Sequence, residues 1–281
     1  KFTAIFFDLD NTLIPTRRGD EKACLKMTEI LEQQHGLTHE DAEKATATFL
    51  QNFRICPDNA ETSLDSWRSY LWTQALPGKW KYLNEKIYQT WLQLRYRYLA
   101  LTPDHEKVLK RLRENYLLGL ITNGPSNAQW EKINKLNLSH YFDCILVSSD
   151  LPWEKPNPNI FLAACNYLNI KPQECIMIGD KLETDIKGGK DAQLGATIWI
   201  PLKPEHIGVE AKPEPDLILP SLNEMVNYIE LPASSHLGST TTKLRRHSQT
   251  SMTSTKKSSH YRRVVSLPEI ECGSENSSDG S

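Results

Sequence analysis

Short, continuous apolar runs recur in two separated parts of the chain. They are Ala4–Phe7, Leu117–Thr122, Ile145–Val147, Cys175–Ile178 and Ala196–Ile200. Their length and lack of alternation fit strands buried on both faces. Helical patterns lie between them. One covers 103–115, where Thr102 can cap and Pro103 suits the first helical position; another follows Asn157, with Pro158 at its start. Strands alternating with helices predict an α/β fold, a parallel sheet with helices on both faces, built from residues 1–14 and 101–232.

The interval 15–100 has helical periodicity and no convincing strand. Trp80, Leu83, Ile87, Trp91, Leu94 and Tyr98 recur three or four apart on one helical face. Such a stripe is expected to form the core of a helical bundle rather than a cofactor site. An all-helical insert after the first strand reads as a separate cap over the sheet. Residues 233–281 differ again: rich in Ser and Thr, aperiodic and poor in large apolar groups. They are expected to be disordered, because they bury too little surface to offset ordering entropy.

Composition narrows the picture. The hydrophobic fraction of 39% in 281 residues supports a sizeable core. A formal net charge of -2 gives no field that favours nucleic acid or an anionic membrane. The six cysteines form no C-x-x-C pair and read as reduced thiols. No apolar run approaches the roughly 18 residues of a membrane helix, and no secretory signal is visible. A cytoplasmic location is therefore expected. The chain opens on Lys1 instead of Met, which leaves room for residues before it.

Candidate chemistry gathers where strands end. The first strand runs into Asp8-Leu9-Asp10-Asn11-Thr12, the second into Thr122-Asn123-Gly124, and the fourth into Gly179-Asp180, with Asp185 five residues on. Lys155 follows the third strand, in Glu154-Lys155-Pro156-Asn157-Pro158. Parallel sheets place ligands at the C-terminal ends of their strands, so these groups can converge on one edge. Asp8 and Asp10 would repel on a continuing strand, an objection that a cation or a division of roles removes. Carboxylates, a lysine and a hydroxyl on one edge suit phosphoryl transfer. Oxygen ligands without His or Cys suit Mg²⁺.

These four motifs, in this order and spacing, resemble those of the haloacid dehalogenase superfamily over residues 1 to about 232. The resemblance implies a Rossmann-like core, a helical cap at 15–100 and Mg²⁺-dependent hydrolysis of phosphate esters. Carried over motif by motif, Asp8 is the nucleophile and Asp10 the acid and then the base. Thr122, the Asn123 amide and Lys155 hold the phosphoryl group. Asp8, the Asp10 carbonyl and Asp180 ligate the metal, while Asp185 holds a metal-bound water or Lys155. An Asp at position 10 favours a phosphatase over a dehalogenase or an ion pump.

Further stretches resemble the branch that acts on a sialic acid 9-phosphate: 6–14, Arg17-Arg18-Gly19, 120–124, 177–189 and 196–200. Arg17, Arg18 and Arg68 are then candidates for the substrate carboxylate, since guanidinium pairs well with it. Pro15 departs from that branch. Open alternatives are a phosphatase for phosphoglycolate, a sugar phosphate or a nucleotide, and an interaction module working through the tail. In the tail, Ser248 after Arg245-Arg246-His247 and Ser266 in 263–268 look like kinase sites, the second also like a ligand for a phosphoserine-reading adaptor.

Overall fold

The structure, a computed structural model, describes residues 1–55, 63–203 and 211–228. The Ser- and Thr-rich segment 233–281, with Ser248 and Ser266, lies outside the described residues.

Six parallel strands form one sheet: β1 (Ala4–Phe7), β2 (Leu117–Thr122), β3 (Cys144–Val147), β4 (Cys175–Gly179), β5 (Ala196–Trp199) and β6 (Leu217–Ile218), in the order β3-β2-β1-β4-β5-β6. All four residues of β1 are buried, as an apolar run with no polar alternation requires in a central strand. The register sets Phe7 beside both Leu120 and Ile178. Asp8, Thr122 and Asp180 therefore leave the same edge of the sheet. The chain departs from β1 to one side and returns on the other, so the crevice at a Rossmann-type switch point opens above β1. The five expected strands are all present, with Cys144 added to β3 and Gly179 to β4, and with β5 stopping at Trp199. The two-residue β6 at the edge was not expected from the sequence.

Between residues 16 and 99 the described elements are helical: α1 (Thr16–His35), α2 (His39–Phe53), α3 (Leu64–Ala75) and α4 (Asn84–Leu99). They hold together around a hydrophobic cluster of their own that includes Ala23, Met27, Phe49, Trp72, Ile87 and Trp91. Phe49 stacks on Trp72 at 4.0 Å and meets Trp91 edge-on at 4.8 Å. Each such buried ring contributes about 1.5–3 kcal/mol, which is enough to fix the bundle's interior. The sequence stripe lies here: Ile87 and Trp91 are buried, and Trp80, Leu83, Leu94 and Tyr98 flank them.

The sheet is covered by α5 (Pro103–Leu112), α6 (Ser126–Lys135), α7 (Pro158–Leu168), α8 (Lys187–Asp191) and α9 (Met225–Tyr228). Thr102 caps α5 by accepting from the His105 N–H at 3.1 Å, and Asn157 caps α7. The α5 helix ends three residues before its expected limit. No helix among the described residues is long and apolar enough to cross a membrane. Cys24, Cys144, Cys165 and Cys175 are free, buried thiols.

Candidate active site

The edge above β1, β2 and β4 is built around one lysine. Lys155 is 2% exposed, and its Nζ donates to Asp8 Oδ1 at 2.6 Å, Asp185 Oδ1 at 2.7 Å and the Ile121 carbonyl at 2.9 Å. All three ammonium protons are thus used. Burial works against its charge, but Asp185 and Asp8 outweigh burial and keep it protonated. The Lys155 main chain is itself fixed from β2. Asn123 accepts the Lys155 N–H on Oδ1 at 2.9 Å and donates from Nδ2 to the Lys155 carbonyl at 2.8 Å.

Asp8 stands in the first turn after β1, its N–H bonded to the Ile178 carbonyl at 2.9 Å. Its second oxygen accepts only a long contact, 3.4 Å from the Thr12 hydroxyl. Burial drives this carboxyl up to about 6, with Asp185 and Asp10 adding to the rise and Lys155 restraining it.

Asp10 does not share that environment. A turn from Leu9 to Ile14, with Asn11 at φ 65, sends its side chain toward α6. There Lys132 Nζ donates to both oxygens at 2.6 and 2.7 Å, and Gln129 Nε2 donates to Oδ2 at 2.9 Å. Thr16 bonds Oδ1. Burial would raise the Asp10 carboxyl, but the Lys132 charge and these hydrogen bonds win and lower it to about 2. Each aspartate therefore has its own lysine, which answers the repulsion expected from the sequence. Gln129 also reaches the buried Thr122 hydroxyl and the Asn123 carbonyl, the latter at 3.1 Å.

Asp180 carries the least satisfied group. It is 9% exposed, and its Oδ1 is buried without a hydrogen-bond partner. Burial raises its carboxyl to about 8, with Asp8 and Asp185 pushing the same way. Its main-chain carbonyl accepts from Trp199 Nε1 at 2.8 Å, which fixes the turn. Asp185 has both oxygens committed, to Lys155 and, at 3.0 Å, to the Lys181 N–H. Gly179 makes this possible, because a Cβ there would stand 2.2 Å from Asp185 Oδ2. Oxygens of Asp8, Asp180 and Asp185 all lie within 4.8 Å of one another. An orphaned carboxylate oxygen beside two further carboxylates fits a hard divalent cation.

The structure thus brings together Asp8, Thr122, Asn123, Lys155, Asp180 and Asp185, with Asp10 alongside. The three candidate arginines are elsewhere. Arg17 is exposed and faces Glu21 at 3.7 Å. Arg18 lines a cavity of about 330 Å³ beside the crossovers to the helical segment, with Thr12, Leu13, Lys22, Tyr98 and His105. Arg68 is 1% exposed, and its Nη1 donates to both oxygens of Glu131 at 2.8 and 2.9 Å. Gln129 and Lys132 were not singled out from the sequence. Their only signal is spacing: three apart on a helix that follows Thr122-Asn123-Gly124, they share a face.

A family model described as haloacid dehalogenase-like hydrolase matches residues 2–193. Over 227 residues the chain is 33% identical to N-acylneuraminate-9-phosphatase of Homo sapiens, covering 79% of this chain and 91% of that protein. It is 32% identical over 238 residues to glyceraldehyde 3-phosphate phosphatase of Pyrococcus furiosus, covering 82% and 94%. A solved structure of a haloacid dehalogenase-type phosphatase from Thermococcus onnurineus aligns with a TM-score of 0.53 at 25% identity, covering 81% and 97%.

Proposed function

This chain belongs to the haloacid dehalogenase-like hydrolases and is a phosphoric monoester hydrolase, and we propose that its substrate is an N-acylneuraminate 9-phosphate. The observation that carries the mechanism is the separation of two aspartates by their partners. Asp8 has one oxygen on Lys155 and one nearly free, while Asp10 is held apart by Lys132. The free oxygen of Asp8 attacks phosphorus, and the bond from phosphorus to the ester oxygen breaks. Lys155 keeps Asp8 ionised although burial raises its pKa. The leaving oxygen takes a proton from Asp10, which receives it from the monoanionic ester, since such phosphates have a second pKa near 6. Asp10, a carboxylate again, then takes a proton from the water that attacks the aspartyl-phosphate. One residue thus serves both steps, and each step is easier than direct displacement.

Thr122 and the Asn123 amide receive phosphoryl oxygens, with Lys155 offsetting their charge. Mg²⁺ suits the cluster of Asp8, Asp180 and the Asp10 carbonyl, with Asp185 behind it, and bound there it supplies positive charge against the repulsion between ester and carboxylate. The substrate assignment is supported by the 33% identity to a phosphatase named for that ester across 91% of its length. Arg18 is the candidate for the substrate carboxylate, because it has no hydrogen-bond or ion-pair partner among the described residues and faces a cavity. The helical segment 15–100 is read as the cap that chooses the ester. The similarity to glyceraldehyde 3-phosphate phosphatases favours a small sugar phosphate as the second reading.

Phosphate release from N-acetylneuraminate 9-phosphate, beside glyceraldehyde 3-phosphate and with Mg²⁺ or chelator, tests this. Preference for the sialic acid ester, with KM raised in Arg18→Ala, is the expected result. Preference for the triose ester removes the substrate assignment and keeps the phosphatase.

Asp180 gives a separate, catalysis-free check of the metal. Its folded carboxyl, raised to about 8 from an ordinary 3.8, binds a proton that the unfolded chain has released. Stability of the metal-free protein is therefore full below pH 4 on this account and falls as pH rises toward 8. Added Mg²⁺ is expected to remove that fall, and to do little in Asp180→Asn. Thermal melts across pH 5–9 with and without Mg²⁺ check it; a metal-free melting temperature that climbs with pH over this range contradicts it.

A further inference from the structure

Three donors from the helical segment converge on one carboxylate of the sheet region. Arg68 on α3 gives Nη1 to both oxygens of Glu131, the Tyr96 hydroxyl on α4 donates to Oε1, and Arg95 Nη1 lies 4.0 Å away. Arg95 also donates from Nε to Asp20 on α1 at 2.7 Å. Both guanidinium groups lie over the Phe53 ring that ends α2, at 5.7 and 4.9 Å. Glu131 thus contacts α3 and α4 directly and is linked through Arg68 and Arg95 to α1 and α2. Among the described residues, the side chains outside 16–99 that receive hydrogen bonds from these helices are Glu131 and, at the start of α1, Asp10 and Asn11.

The charges balance only with Glu131 present. Arg68 and Arg95 face Asp20 and Glu131, and the side chains are 2%, 4%, 7% and 16% exposed. Without Glu131, one buried guanidinium is left uncompensated, which strongly disfavours the docked arrangement. The same turn of α6 holds the site: Gln129 and Lys132 flank Glu131 and grip Asp10. One helical turn therefore carries both the dock for the helices and the setting of Asp10.

We infer that Glu131 is a positioning residue, the dock that seats helices α1–α4 over the catalytic edge and ties their seating to Asp10. This rests on the proposed role of Asp10 as acid. Seating excludes water and brings the leaving group to Asp10, so its loss is felt most by esters whose leaving oxygen needs a proton.

Glu131→Gln keeps the shape of the side chain and removes its charge. Hydrogen exchange of the full chain is expected to quicken in Asn11–Pro15, in 100–102 and in α3, with the sheet strands unchanged. Hydrolysis of N-acetylneuraminate 9-phosphate is expected to fall about a hundredfold. Hydrolysis of p-nitrophenyl phosphate, whose leaving group needs no proton, should fall far less. Arg68→Gln should quicken exchange in the same segments to a smaller degree, because Arg95 and Tyr96 remain. Unchanged exchange, exchange quickened throughout the sheet, or equal loss on both esters overturns the dock. If Asp10→Asn, with Glu131 kept, slows both esters equally, the acid role of Asp10 has failed instead, and the exchange pattern alone judges Glu131.

Discussion

Asp8→Asn is expected to lower phosphate release by about 10⁴-fold or more while the protein stays folded. The amide is nearly isosteric with the carboxyl and can still accept from Lys155 on its oxygen. It has no charge with which to attack phosphorus, so no aspartyl-phosphate can form. Stability should move the other way from activity. The Asp8 carboxyl is raised to about 6, chiefly by burial, so above that pH its ionised form costs folding free energy. In chelator at pH 8, the Asn variant should melt at or above the temperature of the unaltered protein. Appreciable Mg²⁺-dependent turnover in the variant would sink the mechanism, and a collapse of the melt would show that Asp8 is needed for the fold.

Lys155→Met is expected to lose both activity and stability. The ammonium is nearly inaccessible and satisfies Asp8, Asp185 and a main-chain carbonyl at once. Removing one member of a buried ion pair costs about 3–5 kcal/mol, because the remaining charge is stranded. Here two carboxylates are stranded, with Asp180 close by. Without the lysine, which restrains it, the folded pKa of Asp8 rises further, so this carboxyl carries a proton at mildly acidic pH that the unfolded chain has released. The loss of stability is therefore smaller near pH 5 and grows toward pH 8. Mg²⁺ should recover part of the melting temperature, since a cation bound only by the folded state stabilises by mass action, but not turnover. A Met variant that melts like the unaltered protein at pH 8 would mean that Lys155 bears little of this charge.

The convergence of the candidate residues on one sheet edge was legible because three independent signals coincide. Asp8, Thr122, Asp180 and Lys155 each follow an apolar run, their order matches a known pattern, and a parallel sheet brings strand ends together whatever the loops do. The partners of Asp10 were not legible. Gln129 and Lys132 belong to a helix whose pattern reads as ordinary amphipathic surface, and only the turn at Asn11 decides that Asp10 points there. Arg68 shows the converse. Its residue type suggested a ligand for substrate, but its partner Glu131 lies 63 positions away on another element, beyond any local pattern. The edge strand β6 is too short, at two half-buried residues, to leave a periodic signal. The helical stripe in 80–98 was readable because a buried face must repeat, whereas a buried ion pair need occur only once.

The two hydrogen bonds between Asn123 and the Lys155 main chain have a mechanical consequence. They join the turn after β2 to the loop after β3 as a hinge pin joins two plates, allowing neither to slide along the other. A shift at the end of β2 must carry the Lys155 ammonium with it. On the proposed mechanism, the grip on phosphate and the charge on Asp8 are therefore geared together. A fault introduced in either loop, even one that leaves Asp8 and Lys155 untouched, should surface as a weakened nucleophile and a loosened phosphate at the same time.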